Sequence, residues 1–427
     1  MEILLSIDFI GFTKKDITFA EKTMQENTWL VAFIVPAFLL FVGLEYWLAK
    51  KSGKANLFNY ASSVSNISIG IAERLLNLFI TGSFYALYVY LHKHFALFFI
   101  PNHWSIWVLL LLATDFVWYW YHRLGHEINL LWGAHIVHHQ SEEFNYTVSA
   151  RITTIQAIVR NLFWCILPIV GFDPLMVITI LVVHGAYSFF THTQVIGKLG
   201  WIEKIFITPS HHGVHHASNE KYLNKNYGDI FVFWDKLFGT FQKEEEKPIY
   251  GLTHPLKSHS FLWQHFHYYF ELAEACRRSG SIVQSFKILF GKPEQLDQHI
   301  RADIEKALLA EKRSFHMTSR FRWYITLQVI VALGGLFFFT LYFNEWSLAE
   351  KWLGASLLLV TLINCGALLE QQQWVYAVEV VRALLVCSLI AFEQQSFGFL
   401  GVSLLLVLMI ATLDSVEETY YRWLYKQ

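Results

Sequence analysis

Apolar residues run through this chain in long blocks, and polar residues gather mainly in two stretches between them. A helix needs about 20 apolar residues to cross a bilayer. Nine blocks approach that length: 29–48, 67–91, 104–121, 152–170, 174–191, 323–343, 352–369, 374–391 and 397–412. Several open on a tryptophan (Trp29, Trp104, Trp323, Trp352, Trp374), a residue enriched at membrane–water interfaces. The fourth and fifth meet at "GFDP", which leaves room only for a tight hairpin. The pattern predicts an all-α, polytopic membrane protein with about nine transmembrane helices.

Charge orients these blocks. Lys50, Lys51 and Lys54 follow the first block, Arg123 follows the third, and Arg320 and Arg322 precede the sixth. The positive-inside rule puts these segments in the cytoplasm, with the N-terminus outside and the C-terminal "YRWLYKQ" inside. The opening "MEILLSIDFIGFTKKD" carries acids early and no small-residue cleavage site after a basic start, so it reads as a short interfacial segment. The polar stretches 121–151 and 192–322 then share the cytoplasmic face. Residues 243–257 suggest a surface loop, and 259–313 an amphipathic helix lying on the membrane or capping the domain. The expected division is N-terminal spans over 1–102, a catalytic domain over 103–260, an amphipathic cytoplasmic segment over 261–322 and C-terminal spans over 323–427.

Composition agrees with a membrane protein. Hydrophobic residues make up 54% and charged residues 16%, against about a quarter charged in soluble domains. A net charge of −1 gives no argument for a nucleic-acid partner or a strongly basic membrane patch. Cys165, Cys276, Cys365 and Cys387 are scattered without a CxxC pair, so neither a disulfide framework nor a thiolate metal site is indicated.

Three histidine clusters change the picture. "HRLGHE" supplies His122, His126 and Glu127; "HIVHH" supplies His135, His138 and His139; "HHGVHH" supplies His211, His212, His215 and His216. Spacings of three and four place side chains on one helix face. A lone interfacial histidine is more simply a helix cap or a partner of lipid phosphate. Three clusters on one face favour metal, and their number exceeds the four ligands that close a structural zinc site, so two ions with open positions are expected. His192 reaches the same face as a ninth candidate ligand, whereas His184 is deeper and is equally well read as a packing residue. Glu127 could ligate, shuttle protons or orient an imidazole, and His211, Asn226 and Asp235 are candidates for supporting the ligands from behind. Glu73, Arg74 and Arg382 are charges within apolar blocks, lining a cavity or pairing with other polar groups.

The segments "WYWYHRLGHEINLLWGAHIVHHQSEEFN" and "FFTHTQVIGKLGWIEKIFITPSHHGVHHASNEKYLNKNYGDIFVFWDKLFGTF" resemble the fatty acid hydroxylase/sterol desaturase superfamily of membrane diiron enzymes, most closely its glyceryl-ether monooxygenase branch. That resemblance, tight over about residues 115–242, implies ligands at His122, His126, His135, His138, His139, His212, His215 and His216, and an essential acid at Glu127. Some fatty acid hydroxylases place a further ligand one turn before His192, where this chain has Ser188. The resemblance implies two Fe ions, O₂ and a lipid substrate, with tetrahydrobiopterin as electron donor by analogy alone. It implies hydroxylation of an alkyl C–H beside an ether oxygen, collapsing to fatty aldehyde and a glycerol derivative. Hydroxylation or desaturation of a sterol, fatty acid or carotenoid is the alternative on the same centre, and a metal transporter or sensor is the non-enzyme alternative. The host membrane, bacterial inner membrane or endoplasmic reticulum, is open.

Overall fold

The structure, a computed structural model, describes residues 31–309 and 317–425. The opening segment, the start of the first apolar block and the end of the 259–313 stretch lie outside the described residues. The described residues form helices and isolated bridges only. We number the principal helices α1 (Ile34–Lys51), α2 (Tyr60–Phe95), α3 (Trp104–Glu127), α4 (Asn129–His139), α5 (Thr154–Trp164), α6 (Pro174–Phe190), α7 (Pro209–His215), α8 (Phe261–Ser279), α9 (Ile282–Phe290), α10 (His299–Leu308), α11 (Ser319–Leu341), α12 (Leu348–Leu369), α13 (Val375–Glu393), α14 (Phe397–Ala411) and α15 (Asp414–Tyr425).

Within the described residues every apolar block forms helix, but the blocks are not equivalent. Among the described residues four helices, α2, α11, α12 and α13, are long and apolar enough to cross a membrane, and α14 with α15 makes a fifth if that pair, bent by 71°, is one span. The expectation of nine counted hydrophobic runs without weighing their interruptions. Block 29–48 continues into the charged end of α1, which carries Glu45, Lys50 and Lys51. Block 104–121 holds Asp115 inside α3. The hairpin pair is short: α6 has 17 residues, about 26 Å at 1.5 Å per residue against a hydrocarbon core of about 30 Å.

The hairpin itself forms as its sequence demands. Asp173 caps α6 by accepting from the amides of Leu175 and Met176, and Pro174 occupies the first turn. Gly171 precedes it at φ +124°, where a Cβ would sit 2.1 Å from the Phe98 carbonyl oxygen, so no other residue fits.

α2 is about 54 Å long, more than a bilayer needs. Its first turns bury Ser65, Asn66 and Ser68 beside the histidine layer, and its later turns carry the span. At Gly70 the chain at Ala150 comes so close that a Cβ would lie 2.7 Å from the Ala150 Cβ. One apolar core joins α2, α4, α8, α11 and α12 through Ile69, Val137, Leu272, Ile325 and Leu362. A second joins α2, α3, α5 and α6 through Tyr88, Leu110, Trp164 and Val177.

The intramembrane charges pair with polar neighbours. Glu73 accepts from Asn77 at 2.7 Å and faces Arg74 and Arg160 at 3.3 and 3.6 Å. Arg382 meets Glu379 at 2.6 Å and Gln328 at 3.1 Å. The stretch expected as amphipathic helix is divided into α8, α9 and α10: Gly280 ends α8 in a left-handed turn at φ +61°, and residues 291–298 separate α9 from α10. α8 and α10 form a cap, tied by Arg301 to Glu271 and by Arg278 to Asp303, both at 2.7 Å.

Candidate metal centre

Four segments deliver imidazoles to one buried region: the end of α3, the length of α4, the turn after α6, and α7 with its C-terminal residue. The nine predicted ligands fall into two groups, in each of which one donor atom per residue lies within 4.8 Å of every other. His122, His126, His135, His139 and His215 make the first group; His138, His192, His212 and His216 make the second. All are buried except His126, which is half-buried.

The helix period explains this division. Residues four apart share a face, so His122 with His126, His135 with His139, and His212 with His216 each serve one group. The middle histidine of each HxxHH points about 100° away from the one that follows it. His138 therefore leaves α4 for the second group, and His215 leaves α7 for the first. Each group borrows one ligand from the other's helix.

The donor set fits metal. Nε2 of His135 lies 3.1 Å from Nε2 of both His122 and His139. In the second group the Nε2 atoms of His138, His192, His212 and His216 follow one another at 3.1, 3.0 and 3.2 Å. Two nitrogens bound at right angles to an ion, each about 2.1 Å away, lie about 3 Å apart. Nε2 of His126 and of His215 are buried with no hydrogen-bond partner, a costly state that an ion relieves. Burial, reinforced by neighbouring imidazoles, holds His135, His138, His139, His212 and His216 well below the ordinary histidine value; His215 is lowered likewise. Burial also brings His192 down to about 4. Neutral imidazole is the form that ligates.

The far nitrogens are held as well. Nδ1 of His122 donates to the Tyr227 carbonyl at 2.9 Å, Nδ1 of His215 to the Lys225 carbonyl at 2.9 Å, and Nδ1 of His192 to the Ser188 carbonyl at 2.7 Å. Gln156 faces Nδ1 of His135 at 3.0 Å, and its amide oxygen, otherwise buried without a partner, is the atom suited to accept that N–H. The residue at the position of a further family ligand thus serves through its backbone: Ser188 orients His192.

Asp235 and Asn226 support the ligands through the chain between them. Asp235 is fully buried and accepts from the Tyr227 and Gly228 amides at 2.8 and 2.9 Å, which fixes the loop whose carbonyls hold His122 and His215. Asn226 adopts a left-handed φ of +56°, accepts from the Gln242 amide and donates to the His211 and Gln242 carbonyls. His211 is buried but belongs to neither group; its ring packs on Phe241. Glu127 is brought to neither group. It accepts from Arg123 at 2.9 Å, with about a third of its side chain exposed.

Sequence reasoning missed a third buried group, Asp115, His184 and Asp229. His184 Nδ1 meets Asp229 at 2.7 Å, and Asp115 accepts from the amides of Ile230 and Phe231 and from the Trp234 indole. An acid inside the apolar "LLLLATDFVWYW" was the available signal. A cavity of about 490 Å³ reaches the first group. His126, His139, His215 and His216 meet it on one side; Trp132, Ile136, Leu252 and Leu296 give apolar walls; Glu271 and Arg301 lie at the cap.

The fatty acid hydroxylase family matches residues 107–240, the segment that holds all nine histidines. Over 397 residues the chain is 30% identical to the alkylglycerol monooxygenase of Homo sapiens, covering 89% of this chain and 87% of that protein. The chain belongs to the alkylglycerol monooxygenase family. The Danio rerio alkylglycerol monooxygenase is also 30% identical, over 400 residues, 90% of this chain and 87% of that protein. An ornithine lipid hydroxylase of Rhizobium tropici is 32% identical over 154 residues, 35% of this chain and 45% of that protein. No solved structure matches. These relatives are two alkylglycerol monooxygenases and a lipid hydroxylase.

Proposed function

We propose that the chain is a diiron monooxygenase that hydroxylates the ether-adjacent carbon of an alkylglycerol. The observation that carries this is the pair of histidine groups, each with enough neutral imidazoles for one ion, reached by a cavity that is apolar within and polar at its cap. Two iron ions held there supply reductive activation of O₂. In overall balance, R–CH₂–O–R′ with O₂, two electrons and two protons gives R–CH(OH)–O–R′ and water. The hemiacetal then collapses to the aldehyde R–CHO and the alcohol HO–R′.

The chain's residues do the positioning. Trp132, Ile136, Leu252 and Leu296 hold the alkyl segment and keep water from it, while Arg301 and Glu271 face the glycerol end. The carbonyls of Tyr227, Lys225 and Ser188 fix ring orientation. Glu127 acts as the essential acid from outside the ligand groups, its carboxylate held by Arg123. The centre faces the cytoplasm. Electrons come from tetrahydrobiopterin, by the family resemblance.

The test is iron analysis of the purified protein, followed by turnover of a labelled alkylglycerol with and without tetrahydrobiopterin. Iron near two per chain and pterin-dependent aldehyde release are expected. Iron-loaded protein that oxidises a fatty acid or sterol but no ether overturns the substrate assignment.

A further inference from the structure

α9 turns its largest side chains outwards. Ile288 and Leu289 pack against the core, yet Ile282, Val283, Phe286 and Phe290 are exposed by 87, 68, 64 and 52%. Positions 282, 286 and 290 recur every fourth residue and 283 lies beside them, so the exposed residues form one stripe on a helix with no buried residue. The rings of Phe286 and Phe290 stack at 4.7 Å within it. A contiguous patch of this kind marks an interaction surface.

Charge and position say what covers it. Between 282 and 292 the only charged residues are Lys287 and Lys292, and no acid is present. The Asn129 amide donates to the Gly291 carbonyl at 2.9 Å, and the Asn129 side chain to the Ile288 carbonyl at 2.7 Å. Asn129 opens α4 one residue after Ile128, which closes α3. The end of α9 is therefore fixed at the junction of α3 and α4, and its Ile288 and Leu289 join the apolar core shared by α2, α11 and α12, three of the helices long and apolar enough to cross a membrane. Pro293 and Leu296, just beyond α9, line the cavity that reaches the histidines.

We propose that α9 lies in the membrane interface, its apolar stripe among the acyl chains and Lys287 and Lys292 at anionic headgroups, and that lipid enters the cavity past residues 293–298 from that leaflet. The occupant of the cavity rests on the function proposed above; the location of α9 does not. α8 and α10 stay above it as the cap.

An environment-sensitive dye on Phe286→Cys, in the full chain with its four native cysteines replaced, tests this in vesicles containing anionic lipid. Its emission should shift to the blue and be quenched by chain-brominated lipid, while the same dye on Lys306→Cys of α10 should not respond. Equal quenching by an aqueous quencher at both positions overturns the proposal. So does a detergent-stable dimer of the wild type that Phe286→Glu dissociates, since a second copy then covers the stripe. Phe286→Glu with Phe290→Glu should raise KM for vesicle-borne lipid by about tenfold or more, at unchanged iron content and unchanged kcat on detergent-dispersed lipid. An unchanged vesicle KM overturns the entry route. Blue-shifted emission from labelled Phe286→Cys, alongside a wild type that turns over no ether, would sink the functional reading and leave the docking intact.

Discussion

Asp235→Asn isolates the support beneath the metal ligands. The carboxylate accepts three hydrogen bonds: Oδ1 from the Tyr227 amide at 2.8 Å and from Thr240 Oγ1 at 2.7 Å, Oδ2 from the Gly228 amide at 2.9 Å. An asparagine keeps the shape but turns one oxygen into a donor. Placed at Oδ2, that donor faces the Gly228 N–H and leaves it buried and unpaired, at a cost of about 1–3 kcal/mol. Loss of charge weakens the two remaining bonds by about another 1 kcal/mol. Against this, burial raises the Asp235 pKa, so the neutral amide avoids part of the carboxylate's desolvation cost. The net loss of stability is therefore about 1–3 kcal/mol, too small to prevent folding.

The effect on metal should be larger in proportion. The loosened loop carries the Tyr227 carbonyl that orients His122, and losing such support typically lowers affinity about 10–100-fold. Iron affinity is read by competition with a chelator of known strength. Thr240→Val, which removes a bond to Asp235 without touching the loop amides, should leave iron affinity nearly unchanged. Wild-type iron affinity in Asp235→Asn would refute the reasoning.

The crossed ligands predict a selective loss: His138→Ala should weaken the ion of the four-histidine group and His215→Ala that of the five-histidine group, both abolishing turnover, with His103→Ala as a control that keeps its metal. Normal turnover in either variant removes the dimetal assignment. Acid should destabilise the metal-free protein. The unfolded chain takes up protons on histidine below about pH 6.5, whereas His192 does so in the native state only near 4, and burial holds the histidines of α4 and α7 well below the ordinary value. The folded values are depressed, so this contribution to stability is present above 6.5 and is lost as pH falls; a melting temperature constant from 7 to about 4.5 contradicts it. Glu127→Gln should keep the fold and most of the metal, since an ion pair a third exposed is worth about 1 kcal/mol or less, but lose most turnover. Wild-type rates at saturating lipid would reduce Glu127 to a partner of Arg123.

The convergence of the histidines was legible because its chemistry is local: imidazoles three and four apart announce a shared face whatever the surrounding fold. His192, which sits alone, was found only because it ends an apolar run on the histidine-bearing side. The supporting atoms were not legible in the same way. Tyr227, Lys225 and Ser188 act through carbonyls, which every residue possesses, so side-chain identity carries no signal for them. Of the nine expected spans, four or five are supported among the described residues, because hydropathy scores a block without asking whether Asp115 or Glu45 interrupts it for a polar contact elsewhere. α9 was hidden inside a longer amphipathic stretch until Gly280 divided it.

The exchange of His138 and His215 bears on how the centre assembles. If each helix served one ion, either group could fill while the other helix stayed displaced. Here the first group is complete only when α7 delivers His215, and the second only when α4 delivers His138. Neither group closes unless α4 and α7 are seated together. α7 in turn is seated by the 225–235 loop, through the Lys225 carbonyl on His215, and α4 by buried Arg151, which donates to the Val137 carbonyl at 2.6 Å. Metal binding at these two groups would therefore be coupled to folding of the whole histidine layer, and the first ion bound would prepay the ordering that the second requires.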